Sequence, residues 1–251
     1  MPSPPPHDGI TDIPLQRAIT PMSNTLVCLP FAGGGASFYR AWQDLPDYAP
    51  RVAPLQLPGR EERFVEDPFR DVMDAADALA PQVATLADGT PFALFGHSLG
   101  AVIAFEIARR LDTDGGGRPV HLFVSGSPGP WTGRTQRASG LDDEEFLARV
   151  REFAGYQHDA LADPDLRELL LPALRADVEM HENYKAVSQD PLSIPITALR
   201  GADDHLVTKE QAEEWKDATT AAFQVLEPEG GHMYLTSSPL PVIDAVAMAL
   251  R

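Results

Sequence analysis

The stretch Pro91-Phe92-Ala93-Leu94-Phe95-Gly96-His97-Ser98-Leu99-Gly100-Ala101 decides how the rest of this chain is read. A short apolar run enters Gly-x-Ser-x-Gly. A helical pattern, Val102-Ile103-Ala104-Phe105-Glu106-Ile107-Ala108, follows at once. Strand, sharp turn and helix in that order are the setting in which a serine stands on a nucleophile elbow. On such a turn the serine backbone is strained. Strand and helix nearly touch, so the flanking positions must be small. Gly96, Gly100 and Ala101 meet that need. Ser98 Oγ would then stand above a sheet, at the positive end of the helix that follows.

Outward from the elbow, the chain alternates strand and helix. Strands are expected over 25–30, 51–57 (broken at Pro54), 91–95 and 120–126, with helices over 71–86 and 101–111. The rhythm then stops. Between about 127 and 192 no strand is evident. Two helical segments are expected instead, 142–154 and 165–185, the second interrupted at Pro172. That insertion of about 65 residues exceeds an ordinary crossover. Its place in the order makes it a candidate lid over Ser98, spanning about 128–192. Strands at 194–201 and 222–226 and helices at 209–218 and 240–250 complete the pattern. The fold class is α/β, with a mostly parallel central sheet and helices on both faces. Residues 24–251 are expected to form one domain. Residues 1–23, rich in proline and poor in large apolar side chains, are expected to form an irregular tail.

Composition narrows the function. The chain has 251 residues and a formal net charge of −17, which argues against a nucleic-acid partner. No apolar run approaches the roughly 20 residues that span a membrane, and no secretory signal is visible. The single cysteine, Cys28, lies in an apolar run, excludes an internal disulfide and fits a cytoplasmic setting. No Cys/His cluster suggests a metal, and Gly33-Gly34-Gly35 lacks the register of a dinucleotide fingerprint. After a strand, that glycine loop is suited to lend a backbone N–H to an oxyanion hole.

Serine needs a base, and the base needs an orienting acid. On a sheet of this kind the chain order is serine, acid, histidine. The strand at 194–201 ends in Gly201-Ala202-Asp203-Asp204-His205-Leu206-Val207. The next ends in Glu229-Gly230-Gly231-His232. Of the seven histidines, His232 alone follows a late strand with glycines before it and lies clear of the acid's own loop. His97 flanks the serine and should point off the elbow. A Gly-x-x-Asp-x-x-Val frame selects Asp204, with Asp203 as the alternative.

Taken in order, Leu29-Pro-Phe-Ala-Gly-Gly, Leu57-Pro-Gly-Arg60, Gly96-His-Ser98-Leu-Gly, Leu171-Pro-Ala-Leu-Arg-Ala-Asp177, Gly201-Ala-Asp-Asp204 and Gly231-His232-Met-Tyr resemble the type II thioesterases of polyketide synthase and nonribosomal peptide synthetase systems. The resemblance runs from about Thr25 to the C-terminus. It implies an α/β-hydrolase fold with a helical lid, and hydrolysis of acyl groups from the phosphopantetheine thiol of acyl or peptidyl carrier proteins. It implies Ser98, Asp204 and His232 as the triad. The oxyanion donors it implies are the N–H groups of Leu99 and Phe31, with Ala32 the alternative in that loop. No cofactor or metal is implied, and a monomer is one option for the assembly. Carrier proteins are usually acidic, so a basic landing patch at Arg60, Arg63 and Arg134 or Arg137 is a further expectation. The competing readings are an esterase of free esters or acyl-CoA, an acyltransferase or cyclising release domain, and a fold that has lost catalysis.

Overall fold

A computed structural model describes residues 25–42, 45, 48–114, 117–154 and 159–250. The expected tail over 1–23 lies outside these residues. Six strands form one sheet: β1 (Thr25–Leu29), β2 (Arg51–Pro54), β3 (Phe92–His97), β4 (His121–Ser125), β5 (Ile196–Leu199) and β6 (Phe223–Leu226). Their spatial order is β2-β1-β3-β4-β5-β6, and every neighbouring pair is parallel. The main helices are α1 (Val72–Ala87), α2 (Leu99–Asp114), α3 (Asp143–Ala154), α4 (Pro164–Asn183), α5 (Lys209–Glu213) and α6 (Leu240–Ala249).

Parallel strands need long crossovers, and the helices supply them on both faces, so the strands are buried on both sides. Alternate residues therefore enter different cores. Val27, Leu29, Leu94, Leu122 and Val124 pack with α1 and α2. Leu26, Cys28, Ala93, Phe95 and Phe123 pack with Tyr39, Trp42 and the α6 residues Val242, Ile243 and Val246. A third, smaller cluster joins Ala138, Phe146, Leu147, Leu171 and Leu174 in the α3–α4 insertion.

Local signals account for the helix ends. The Asp71 side chain accepts from the N–H groups of Met73 and Asp74 at the start of α1. Asp163 caps α4 in the same way, with Pro164 in its first turn. Two sequence expectations need correction. Helix α4 runs unbroken through Pro172, because Leu171, Ala173 and Leu174 on either side are buried and hold both halves on one surface. The helix expected over 209–218 is α-helical only to Glu213 and continues as 3-10 turns over Glu214–Ala218, with Trp215 fully buried.

The order β2-β1-β3 places a topological switch between β1 and β3. In open parallel sheets ligands bind there, at the carboxyl ends of the strands. The Gly-rich loop leaves β1 at that edge and Ser98 leaves β3 beside it.

Candidate active site

Ser98 sits in the left-handed region, with φ of +53°. Its N–H donates to Ser125 O (2.7 Å), which ties the turn to the end of β4. The small flanking residues are a steric requirement. A Cβ on Gly96 would lie 2.0 Å from Gly100 O, and a Cβ on Gly100 would lie 2.5 Å from Leu29 O. Ser98 is 5% exposed and lines a cavity of about 340 Å³.

His232 lines the same cavity from the loop after β6. Its Nδ1 lies 2.8 Å from Asp204 Oδ2. The other carboxylate oxygen of Asp204 accepts from the N–H groups of Leu206 (2.8 Å) and Val207 (3.2 Å). Asp203 is exposed and lends only its backbone N–H, to Gly230 O. Asp204 is therefore the carboxylate held against His232. Burial pushes the Asp204 carboxyl up. The hydrogen bond and charge of His232, with the two backbone N–H groups, outweigh it and hold the group below the usual carboxylate value. No hydrogen bond joins Ser98 to His232, an arrangement common before substrate binds.

The N–H groups of Phe31, Ala32 and Leu99 meet no acceptor among the described residues. The loop carrying Phe31 is braced from behind. Gly34 N donates to Phe31 O (2.9 Å), and Gly33 N donates to Asp177 Oδ2 on α4 (2.8 Å). Arg60 closes this brace as a buried ion pair with Asp177, also donating to Gly34 O (3.1 Å).

That arrangement corrects the expected landing patch. Arg60 is 5% exposed and fully engaged inside the protein. Arg63 pairs with Glu66 and donates to Gln56 O. Arg134 lines the cavity. Arg137 is half exposed and reaches Glu182 and Asn183.

His97 also departs from expectation. It is fully buried, and its ring packs 4.9 Å from the His232 ring. Its Nδ1 shares a hydrogen bond with Ser125 Oγ (2.8 Å), which in turn meets Tyr234 OH (2.8 Å). Burial, then the charge of His232, lowers its pKa well below the usual histidine value, so it stays neutral. Only the position of Tyr234, two residues after His232, hinted at this network in the sequence. Cys28 is fully buried and burial pushes its thiol up, leaving it inert.

Apolar side chains of the insertion line much of the cavity: Leu147, Val150 and Phe153 of α3 and Leu170, Leu174 and Val178 of α4. Among the described residues no group of histidine, cysteine or acidic side chains is placed to hold a metal ion. No described helix is long and apolar enough to cross a membrane.

A family model described as a thioesterase domain matches residues 24–248. The gramicidin S biosynthesis protein GrsT of Aneurinibacillus migulanus is 36% identical over 227 residues, covering 90% of this chain and 88% of GrsT. RedJ, a thioesterase from the prodiginine pathway in Streptomyces coelicolor, superposes with a TM-score of 0.82 at 34% identity, covering 98% of this chain and 91% of RedJ. BorB, the type II thioesterase from the borrelidin biosynthetic cluster, gives a TM-score of 0.82 at 37% identity, covering 92% and 94%. With the family matched over nearly the whole described chain, this protein belongs to the thioesterase domain family and shares the α/β-hydrolase fold of its type II thioesterase relatives.

Proposed function

We propose that this chain is an editing thioesterase that hydrolyses acyl groups from the phosphopantetheine thiol of carrier proteins in polyketide or nonribosomal peptide biosynthesis. The observation that carries the proposal is the His232–Asp204 hydrogen bond (2.8 Å) at the cavity onto which Ser98 opens. The relatives named for gramicidin S and prodiginine biosynthesis support the choice of pathway class.

In this reading His232 takes the proton of Ser98 as Oγ attacks the thioester carbonyl. Asp204 holds the imidazole with Nδ1 toward itself, leaving Nε2 for the serine, and stabilises the imidazolium that forms. The N–H groups of Phe31 and Leu99 receive the developing oxyanion, each contributing roughly 3–4 kcal/mol. The C–S bond breaks and the thiol leaves, protonated by His232. Water, deprotonated by His232, then attacks acyl-Ser98 and releases the free acid. The α3–α4 insertion over 128–192 acts as a lid whose apolar wall receives the acyl chain.

The test compares short acyl groups on a carrier protein, the same groups on a small thiol, and a matched oxygen ester. Preference for the carrier-bound thioester is expected, with Ser98→Ala reducing turnover by about 10³-fold or more. Equal or faster turnover of the oxygen ester would favour a general esterase. Activity retained by Ser98→Ala would overturn the assignment of the nucleophile.

A further inference from the structure

Side chains alternate along a strand, so Phe95 and His97 of β3 share a face, as do Phe123 and Ser125 of β4. The register sets Phe95 beside Phe123 and His97 beside Ser125. Phe95, Phe123 and Tyr234 belong to the apolar core shared with α6. At its last rung, where the sheet meets the His232 loop, that face turns polar. His97 and Ser125 are fully buried there, and Tyr234 is 4% exposed. Ser125 stands at the centre. Its carbonyl accepts from Ser98 N (2.7 Å), and its Oγ meets both His97 Nδ1 (2.8 Å) and Tyr234 OH (2.8 Å). Tyr234 N donates to Gly231 O (3.1 Å), within the turn that carries His232. One residue therefore joins the nucleophile turn to the loop of the base.

Counting hydrogens orients this chain of bonds. With Tyr234 OH donating to Ser125 Oγ, and Ser125 OH donating to His97 Nδ1, both hydroxyl hydrogens are used. Among the described residues only His97 Nε2 is then left without a partner. The opposite polarity leaves the Tyr234 hydrogen unpaired as well. The His97 ring in turn packs against His232, 4.9 Å between centres and tilted by 47°. Gly126, with φ of +58°, leaves room for both rings. A Cβ there would lie 2.6 Å from His97 Cε1 and 3.0 Å from His232 Cε1. Asp204 thus holds the His232 ring at Nδ1, while Gly126 and His97 confine it at Cε1. Filling this space needs no polar group, and apolar side chains would avoid the desolvation cost of three.

We infer that Ser125, His97 and Tyr234 are positioning residues, which register the His232 imidazole on the Ser98 turn. The inference rests on the reading of Ser98, Asp204 and His232 as the triad. None of the three lines the cavity, so they act through His232 rather than on substrate. His232 serves both the attack of Ser98 and the later attack of water. A loss of register therefore slows both half-reactions and leaves substrate affinity alone.

The test measures kcat and KM for propionyl-pantetheine, at a temperature where circular dichroism shows each variant folded. Tyr234→Phe and Ser125→Ala are each expected to lower kcat by about 10-fold or more, with KM within about 3-fold of wild type. Both remove the same hydrogen bond. The double variant is therefore expected to be about as slow as the slower single one, not slower by the product of the two losses. His97→Phe keeps a ring against His232 and removes Nδ1. It is expected to lower kcat without a matching fall in Tm, whereas a residue that only fills space would leave kcat unchanged. The inference is overturned if Tyr234→Phe and Ser125→Ala stay within about 2-fold of wild-type kcat, if their losses multiply, or if the loss is confined to KM. The proton resonance of His232 Nδ1–H, held by Asp204, reads the same register without turnover. It is expected to be sharp in wild type and broadened by exchange in Tyr234→Phe, and an equally sharp signal in both would overturn the inference. Ser98→Ala and His232→Ala keep the two readings apart. Activity retained in these would overturn the triad itself, whereas activity lost in these and kept in the Ser125, His97 and Tyr234 variants would overturn the positioning role alone.

Discussion

The brace between α4 and the Gly-rich loop makes a strong quantitative prediction. Asp177 is 1% exposed and Arg60 5%. One carboxylate accepts from both Arg60 terminal nitrogens and from Gly33 N, so it joins α4, the Leu57–Arg60 turn and the loop that carries Phe31. Asp177→Asn keeps the shape but leaves the Arg60 charge buried without a counter-charge. Removing one partner of such a pair costs about 3–5 kcal/mol. For a domain of this size that lowers Tm by roughly 6–20 °C. Removing both charges together, in Arg60→Met/Asp177→Leu, avoids the buried charge. Gly33 is exposed, so water can take over its N–H, and the remaining cost is the orphaned Gly34 O, about 1–3 kcal/mol. The double variant is therefore expected to recover a substantial part of the loss suffered by Asp177→Asn. Thermal and urea unfolding, followed by circular dichroism and by tryptophan fluorescence, measure both. Both variants should also lower kcat by about 10-fold or more with a smaller change in KM, because Phe31 N–H loses its bracing. A cost under about 1 kcal/mol for Asp177→Asn, or a double variant as unstable as the sum of two independent losses, would refute the reasoning.

The elbow and the buried histidines give two further tests. Gly100→Ala places a methyl 2.5 Å from Leu29 O and 2.7 Å from Pro30 O, both backbone atoms that cannot yield. It should abolish thioester hydrolysis or prevent folding, and soluble protein with wild-type kcat would contradict the close approach. His97, His121 and His181 are all held neutral by burial, His121 with its pKa lowered to about 4. The unfolded chain takes a proton on each near pH 6.5, so it binds more protons than the native state below that pH. Stability should fall as pH drops below about 6.5, each histidine adding a slope of up to about 1.4 kcal/mol per pH unit, for His121 until about pH 4. Asp204, whose pKa is lowered, contributes stability above about pH 3.9 that is lost only at still lower pH. Unfolding free energy measured from pH 8 to 5 checks this. His121→Gln should flatten the curve, and a curve already flat in the wild type would refute it.

Much of this molecule was legible because the signals are local. Alternating burial on both faces of a parallel sheet writes each strand as an apolar run. A nucleophile turn demands small residues at fixed offsets, which Gly96 and Gly100 display. The frame around Asp204 encodes a turn whose Leu206 and Val207 N–H groups close on its own side chain, and that preference separates it from Asp203. The break expected at Pro172 failed because tertiary burial of its neighbours outweighed a local rule.

The residue pattern by itself thus determined the alternating α/β order, the position of Ser98 on its turn and the acid–histidine order behind it. Each of these depends on backbone geometry within a few residues. Only the tertiary structure decided what Arg60, His97 and Arg134 do. Arg60 and Asp177 are 117 residues apart in the chain and meet because the parallel sheet brings the loops after β1 and β2 under α4 at one edge. His97 faces inward because β4 and the His232 loop enclose it. Arg134 looks like a surface cation in sequence and lines the cavity in space, because a flexible side chain takes its direction from what packs around it and no local pattern records that packing.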